Sequence, residues 1–277
     1  MTLASCTAQT AAPPPHRHLA PSRSADQQPE IGRYVALGDS YTAGPLIPTT
    51  EPAGGCFRSD HDYPHLLTRL VRVGTLVDVS CAGATTHDLS HSQHLYGGRT
   101  APPQLASVNA ATDLVTLGIG GNDFGLFGDL LACTRRHPGR CSPRRGAAAI
   151  ADLPRIGSRV TAALHAVHDR APGANVMLVG YLRLVPGRGS CPRLGLSAEG
   201  RLAARRVSRL LDITLSAAAQ AGQATYIDAY RLSAGHDLCA ARPWVNGRTA
   251  RHGQGLAYHP NEPGMRAIAT AIAAKLR

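Results

Sequence analysis

The segment Tyr34–Gly44, YVALGDSYTAG, ends an apolar run abruptly in Gly38-Asp39-Ser40 and sets a second glycine four residues after the serine. A serine presented there could act as a nucleophile. An alcohol is a poor one, however, without a base to take its proton and donors to hold the oxyanion that forms. Three further blocks carry residue types able to complete such a set: Ser80-Cys81-Ala82-Gly83-Ala84-Thr85-Thr86, Gly118-Ile119-Gly120-Gly121-Asn122-Asp123 and Tyr258-His259-Pro260-Asn261. Taken singly, each has an ordinary explanation as a strand-end turn, a helix cap or a loop histidine. Their weight comes from occurring together.

Positioning such a set requires elements that end in one place. Short apolar runs stand at Tyr34–Leu37, Leu76–Val79, Leu114–Ile119, Val176–Val179 and Thr225–Ile227. They are apolar throughout rather than alternating, as strands buried on both faces are. Helical spacing appears between them, as in Val207, Leu210, Leu211, Leu215 and Ala218. A last helix is expected after Asn261, a candidate N-cap, with Glu262 and Pro263 in its first turn and Met265, Ile268, Ile272 and Leu276 on one face. Strands alternating with helices predict a parallel sheet covered on both sides. The active site of such a sheet lies at the carboxyl ends of its strands. Ser40 follows the first run, Gly83 the second and Asn122 the third, so all three are expected on one edge.

The four blocks, with Ser40, Gly83, Asn122 and His259 in order, resemble the SGNH/GDSL hydrolases. The resemblance spans residues 31–277 and is nearest to bacterial secreted lipases and esterases with three disulfides. It implies a three-layer α/β/α sandwich with a flavodoxin-like, five-stranded parallel sheet. It also implies a serine ester hydrolase that works through an acyl-enzyme and needs no metal or cofactor. Ser40 would attack the ester carbonyl, and His259 would take the serine proton and return one to the leaving alcohol. The N–H groups of Ser40 and Gly83 and the side-chain amide of Asn122 would form the oxyanion hole. Asp39 and Asp123 are expected to shape the loops rather than enter the chemistry.

One position departs from the family pattern. Many relatives carry Asp three residues before the histidine, where this chain has Leu256. Some secreted relatives use a main-chain carbonyl from that position instead, so the Leu256 carbonyl is expected to support His259. Asp237 or Glu262 reaching in from elsewhere is the alternative. A neutral acceptor stabilises imidazolium less than a carboxylate does, which predicts a slower reaction or a more alkaline optimum. Lipid or short-to-medium acyl esters are the expected substrates, with carbohydrate or small-molecule acetyl esters as the alternative. A non-catalytic surface lipoprotein retaining the fold is a further reading, against which the intact four-residue set argues.

Seven cysteines stand at positions 6, 56, 81, 133, 141, 191 and 239. None forms CxxC or zinc-finger spacing, and six in the body of the chain suggest disulfides and export. The family resemblance implies the pairs Cys56–Cys81, Cys133–Cys141 and Cys191–Cys239. Cys6, in Leu3-Ala4-Ser5-Cys6, resembles a lipobox and is a candidate for lipidation, although no apolar segment precedes it. Residues 1–30 therefore read as a truncated signal remnant and a disordered Pro/Ala/Ser/Gln-rich tether, and 31–277 as the hydrolase domain. The expected product is a monomer, secreted or held at the cell envelope, with peripheral or lipid-anchored membrane association.

The 277 residues carry a formal net charge of +11, a balance that suits anionic partners. Nearly all the basic residues are arginines, Lys275 being the only lysine, and they are scattered. The densest cluster, Arg135–Arg145, is broken by prolines, and no nucleic-acid motif accompanies it, so nucleic-acid binding is not expected. His87, His91 and His94 have a spacing that could gather a metal on a helical face, but evident carboxylate partners are missing and none is expected there. Trp244 could line an acyl pocket or pack under a long loop.

Overall fold

The computed structural model describes Met1 and residues 30–277 apart from 52, 53, 96, 129–142, 190 and 250–252. Cys6, the tether, the Cys133–Cys141 pair and most of the Arg135–Arg145 cluster lie outside the described residues.

Five strands form one parallel sheet: β1 (Glu30–Gly38), β2 (Arg72–Asp78), β3 (Leu114–Gly118), β4 (Asn175–Val179) and β5 (Thr225–Ile227). Their order is β2-β1-β3-β4-β5, the flavodoxin-like winding, with the direction of travel reversing between β1 and β3. Ligands in such sheets bind at that switch point, outside the carboxyl ends of the strands.

Strand residues alternate between two cores because successive side chains leave opposite faces. Val35, Leu37, Val115, Leu117, Val176 and Leu178 pack on one side, beneath α3 (Pro143–Arg170) and α4 (Ala198–Ala221). Tyr34, Ala36, Leu114, Met177 and Val179 pack on the other, beneath α2 (Tyr63–Thr68) and α6 (Glu262–Lys275). Two single-turn helices, α1 (Ser40–Ala43) and α5 (Ala229–Leu232), complete the set. The expected cap of the last helix is present: the Asn261 side chain accepts from the Gly264 N–H at 3.1 Å.

Strand existence follows the apolar runs, but two strands start four residues before theirs. β2 begins at Arg72 and ends at Asp78, because this edge strand exposes Arg72, Gly74 and Thr75 and so lacks a continuous apolar run. β1 reaches back to Glu30, paired with Arg72.

Cys56–Cys81 and Cys191–Cys239 are both formed, closing loops of 25 and 48 residues. The first ties the loop after α1 to the end of β2, two residues before Gly83. The second joins the segment before α4 to the segment before Trp244. No helix among the described residues is long and apolar enough to cross a membrane.

Candidate active site

The turn carrying Ser40 is fixed from several directions. A Cβ on Gly38 would lie 2.2 Å from Thr42 Oγ1 and 2.6 Å from the Gly118 carbonyl oxygen, so only glycine fits where β1 enters α1. Buried Gln104 holds both backbone groups of Gly38, accepting its N–H at 2.7 Å and donating to its carbonyl at 2.9 Å. Asp39 caps α1 by accepting the Tyr41 N–H at 2.8 Å.

The Asp39 carboxylate also accepts the Tyr181 hydroxyl at 2.6 Å, and that hydroxyl in turn accepts the Gly121 N–H at 2.7 Å. The relay ties the serine turn to the glycines before Asn122. Burial raises the Asp39 carboxyl to about 7, against the opposing pull of the Tyr181 and Tyr41 donors. Asp123 does the corresponding work for the second block, accepting the Thr86 N–H at 2.9 Å as well as the Thr86 hydroxyl. Both aspartates shape loops, as their sequence positions suggested.

Ser40 Oγ lies 2.7 Å from His259 Nε2. His259 Nδ1 lies 2.9 Å from the Ala257 carbonyl oxygen, which can only accept. The ring therefore carries its proton on Nδ1 and leaves Nε2 to receive one from the serine. The expected Leu256 acceptor is corrected by one residue. The Leu256 carbonyl is already occupied by the His259 N–H at 3.2 Å and by Asn246 Nδ2 at 3.1 Å. Tyr258 has φ +61, a left-handed bend that turns the Ala257 carbonyl back onto the ring.

Neither alternative carboxylate stands in. Asp237 accepts the Cys239 N–H at 2.9 Å, and Glu262 pairs with Arg266 at 2.6 Å. Burial lowers the His259 ring to about 4, with the Ala257 carbonyl as the smaller, opposing influence. The neutral form, able to take the serine proton, is thus the favoured one.

Gly83 has φ +83 and is exposed, conformation rather than crowding being what requires glycine there. Neither its N–H nor that of Ser40 has a partner among the described residues. Asn122 Nδ2 spends one hydrogen on the Ala84 carbonyl at 3.0 Å, leaving the other free to donate. Ser40, Asn122 and His259 line one cavity of about 180 Å³, walled by Leu182, Leu184, Leu194, Leu196 and Leu211. Ser208 and Asp212 are the polar groups contributed to it by α4.

Several residues of this site carried no recognisable signal in the sequence. Tyr41 donates its hydroxyl to the Tyr258 carbonyl at 2.6 Å and sets its ring 5.0 Å from that of His259. Asn246 holds the base loop, donating its N–H to the His259 carbonyl at 2.8 Å and Nδ2 to the Gln254 carbonyl at 2.7 Å. Tyr41 adjoined a recognised motif, but nothing in the residue type announced its contact. Gln104, Tyr181 and Asn246 stand far from any motif.

Trp244 stacks on His236 with ring centroids 3.9 Å apart and packs at the edge of the core, outside the cavity. His87, on a 3-10 turn, stacks at 3.9 Å on the exposed His91 beyond it, while His94 sits on a separate short strand, so the three share no ligand set. Among the described residues, the cluster with metal-ligand spacing is Asp62, His65 and Asp78, whose ligand atoms lie within 4.8 Å of one another. Asp62 is engaged as the cap of α2, accepting the His65 N–H at 2.9 Å and facing the His65 Nδ1 at 2.7 Å. Burial pushes both carboxyls up, Asp62 to about 8, while the Arg58 charge pulls Asp62 down.

A serine at the carboxyl edge of this sheet, bonded to a histidine from the last loop and facing an apolar cavity, is an arrangement suited to an α/β hydrolase. Residues 36–267 match the GDSL-like Lipase/Acylhydrolase family, and the chain belongs to it as a carboxylic ester hydrolase. Lipase 2 of Streptomyces coelicolor is 34% identical over 250 residues, covering 85% of this chain and 83% of the relative. A lipase of Streptomyces rimosus is 32% identical over 234 residues, covering 83% and 81%. The crystal structure of phospholipase A1 from Streptomyces albidoflavus NA297 superposes with a TM-score of 0.77 at 28% identity, covering 88% of this chain and 99% of that one. An extracellular lipase from Streptomyces rimosus gives 0.75 at 29% identity, covering 88% and 99%.

Proposed function

We propose that this chain hydrolyses lipid or short-to-medium acyl esters through an acyl-enzyme on Ser40, with His259 as its base. The observation that carries the reading is the 2.7 Å contact between Ser40 Oγ and His259 Nε2 on the wall of a leucine-lined cavity.

Ser40 Oγ attacks the ester carbonyl carbon as its proton passes to Nε2. The imidazolium so formed keeps its Nδ1–H on the Ala257 carbonyl, a neutral acceptor. The oxyanion is received by the Ser40 and Gly83 N–H groups and the free Asn122 amide hydrogen. Collapse breaks the bond to the alcohol, which leaves with the proton from Nε2. Water, activated by the same nitrogen, then releases the acid and restores the serine.

An acetyl group has no need of the apolar cavity, so longer acyl chains are favoured over acetyl esters. The relatives described as lipases and as a phospholipase A1 point the same way. Two disulfides and the extracellular S. rimosus relative support export. The chain acts as a monomer in this reading, and lipidation at Cys6 would hold it at the cell envelope.

The test is a panel of p-nitrophenyl esters from acetate to palmitate, hydrolysed by the wild type and by Ser40→Ala. The substitution should lower kcat by about 10⁴–10⁶-fold, and the wild type should prefer a chain longer than acetate. Equal turnover by both proteins removes the catalytic reading, and turnover of acetate alone removes its lipid part.

A further inference from the structure

We propose that Tyr41 is a positioning residue that takes over the task of the missing triad carboxylate, by holding the left-handed turn at Tyr258 that aims the Ala257 carbonyl at His259. The inference rests on the Ser40–His259 reading above and names what orients its base.

An acceptor only two residues before the histidine can reach Nδ1 when the residue between them bends sharply. Tyr258 supplies that bend at φ +61, a conformation that residues with a side chain adopt against their preference. It persists where surrounding contacts enforce it. The contact on the carbonyl of the bent residue is the Tyr41 hydroxyl, buried and at 2.6 Å. The Tyr258 N–H donates to the Gly247 carbonyl at 3.3 Å, and its hydroxyl donates to the Leu194 carbonyl at 3.3 Å. The Tyr41 bond is shorter than either of these two.

Tyr41 is itself immobilised, with its ring 5.7 Å from that of Phe127 and 5.0 Å from that of Tyr181. It also follows Ser40 directly on α1. One short helix therefore carries the nucleophile and the strut for the base, which fixes their separation without a carboxylate. The ring against His259, 5.0 Å between centroids, limits how far the imidazole can tilt when the turn relaxes.

Tyr41→Phe keeps the ring and removes only the hydroxyl. It should lower kcat on a p-nitrophenyl ester by about tenfold, with KM within about twofold, since misplacing a base affects the transition state more than the bound substrate. A second comparison isolates the turn. Tyr258→Gly and Tyr258→Ala remove the same ring, but glycine adopts the left-handed conformation freely. The kcat ratio of the glycine to the alanine variant should be small with Tyr41 present and several-fold larger with Phe at position 41. A merely structural role for the hydroxyl would lower thermal stability without coupling these two positions.

Wild-type kcat in Tyr41→Phe, or the same glycine-to-alanine ratio in both backgrounds, overturns the proposal. Should Tyr41→Phe fail to fold, the ratio with Tyr41 intact is read against the Nδ1–H proton resonance of His259. That resonance should be equally sharp in the two variants, because Tyr41 holds the turn in both, and its loss in the alanine variant alone overturns the proposal. Ser40→Ala is the separating control: if it turns over like the wild type, the hydrolase reading fails. If it is inactive and Tyr41→Phe is normal, only the role of Tyr41 fails.

Discussion

Ser40 and His259, the proposed nucleophile and base, meet at 2.7 Å, yet they arrive on supports of different kinds. Ser40 follows a strand hydrogen-bonded on both sides, and its turn is closed by backbone contacts, Gln104 and the Asp39 cap. His259 stands on an irregular segment whose regular pairing, among the described residues, is a single bridge between Val245 and Pro260. Side chains do the holding there: Asn246 from one direction and Tyr41 from another. The serine side is built by the sheet, whereas the base side is assembled by tertiary contacts across the cavity. Damage to the first should disturb chemistry at a fixed geometry. Damage to the second should disturb the geometry itself.

Substitutions that separate these effects sharpen the contrast. Asn122→Ala removes one oxyanion donor from the sheet-built side and should cost about 10²–10³ in kcat. Little change in thermal stability should accompany it, because the amide makes one contact with the fold, to the Ala84 carbonyl. Asn246→Ala acts on the base side. It strands the Gln254 carbonyl and takes one of two donors from the Leu256 carbonyl, and should cost about 1–3 kcal/mol of stability. A drop in kcat of about tenfold should come with it, as the His259 loop loosens. The comparison breaks if Asn246→Ala leaves the melting temperature unchanged, or if Asn122→Ala lowers it by more than Asn246→Ala does.

The same division explains what could be read from the sequence. Runs such as Leu114–Ile119 gave away the buried strands, since a strand covered on both faces must be apolar throughout. Ser40, Gly83 and Asn122 follow such strands directly, so their convergence was visible before any contact was known. The edge strand β2 was half hidden because Arg72, Gly74 and Thr75 face solvent. The base side was legible only as a motif. Whether Leu256 or Ala257 offers its carbonyl depends on one backbone angle at Tyr258, and no residue type near it encodes that angle. Tyr41 and Asn246 lie 217 and 10 residues from the carbonyls they hold at Tyr258 and Leu256, and only the folded chain brings those groups together. The paired Asp62 and Asp78 were equally silent, one in a cap and the other at the end of a strand.

The central claim is that His259 works as a base on a main-chain carbonyl, without a carboxylate. The measurement that tests it most directly is the pH dependence of kcat/KM on a p-nitrophenyl ester, for the wild type and for the double variant Asp237→Asn/Glu262→Gln. His259 must be neutral to accept the serine proton, and burial lowers it from its ordinary 6.5 to about 4. Activity should therefore persist as the pH falls below 6.5 and fail only as it nears the lowered value. The two proteins should trace the same curve to within about threefold, because neither carboxylate contacts the ring. A double variant reduced a hundredfold or more, or an acid limb at or above 6.5 that survives Asp39→Asn, would contradict the account and place a carboxylate behind His259.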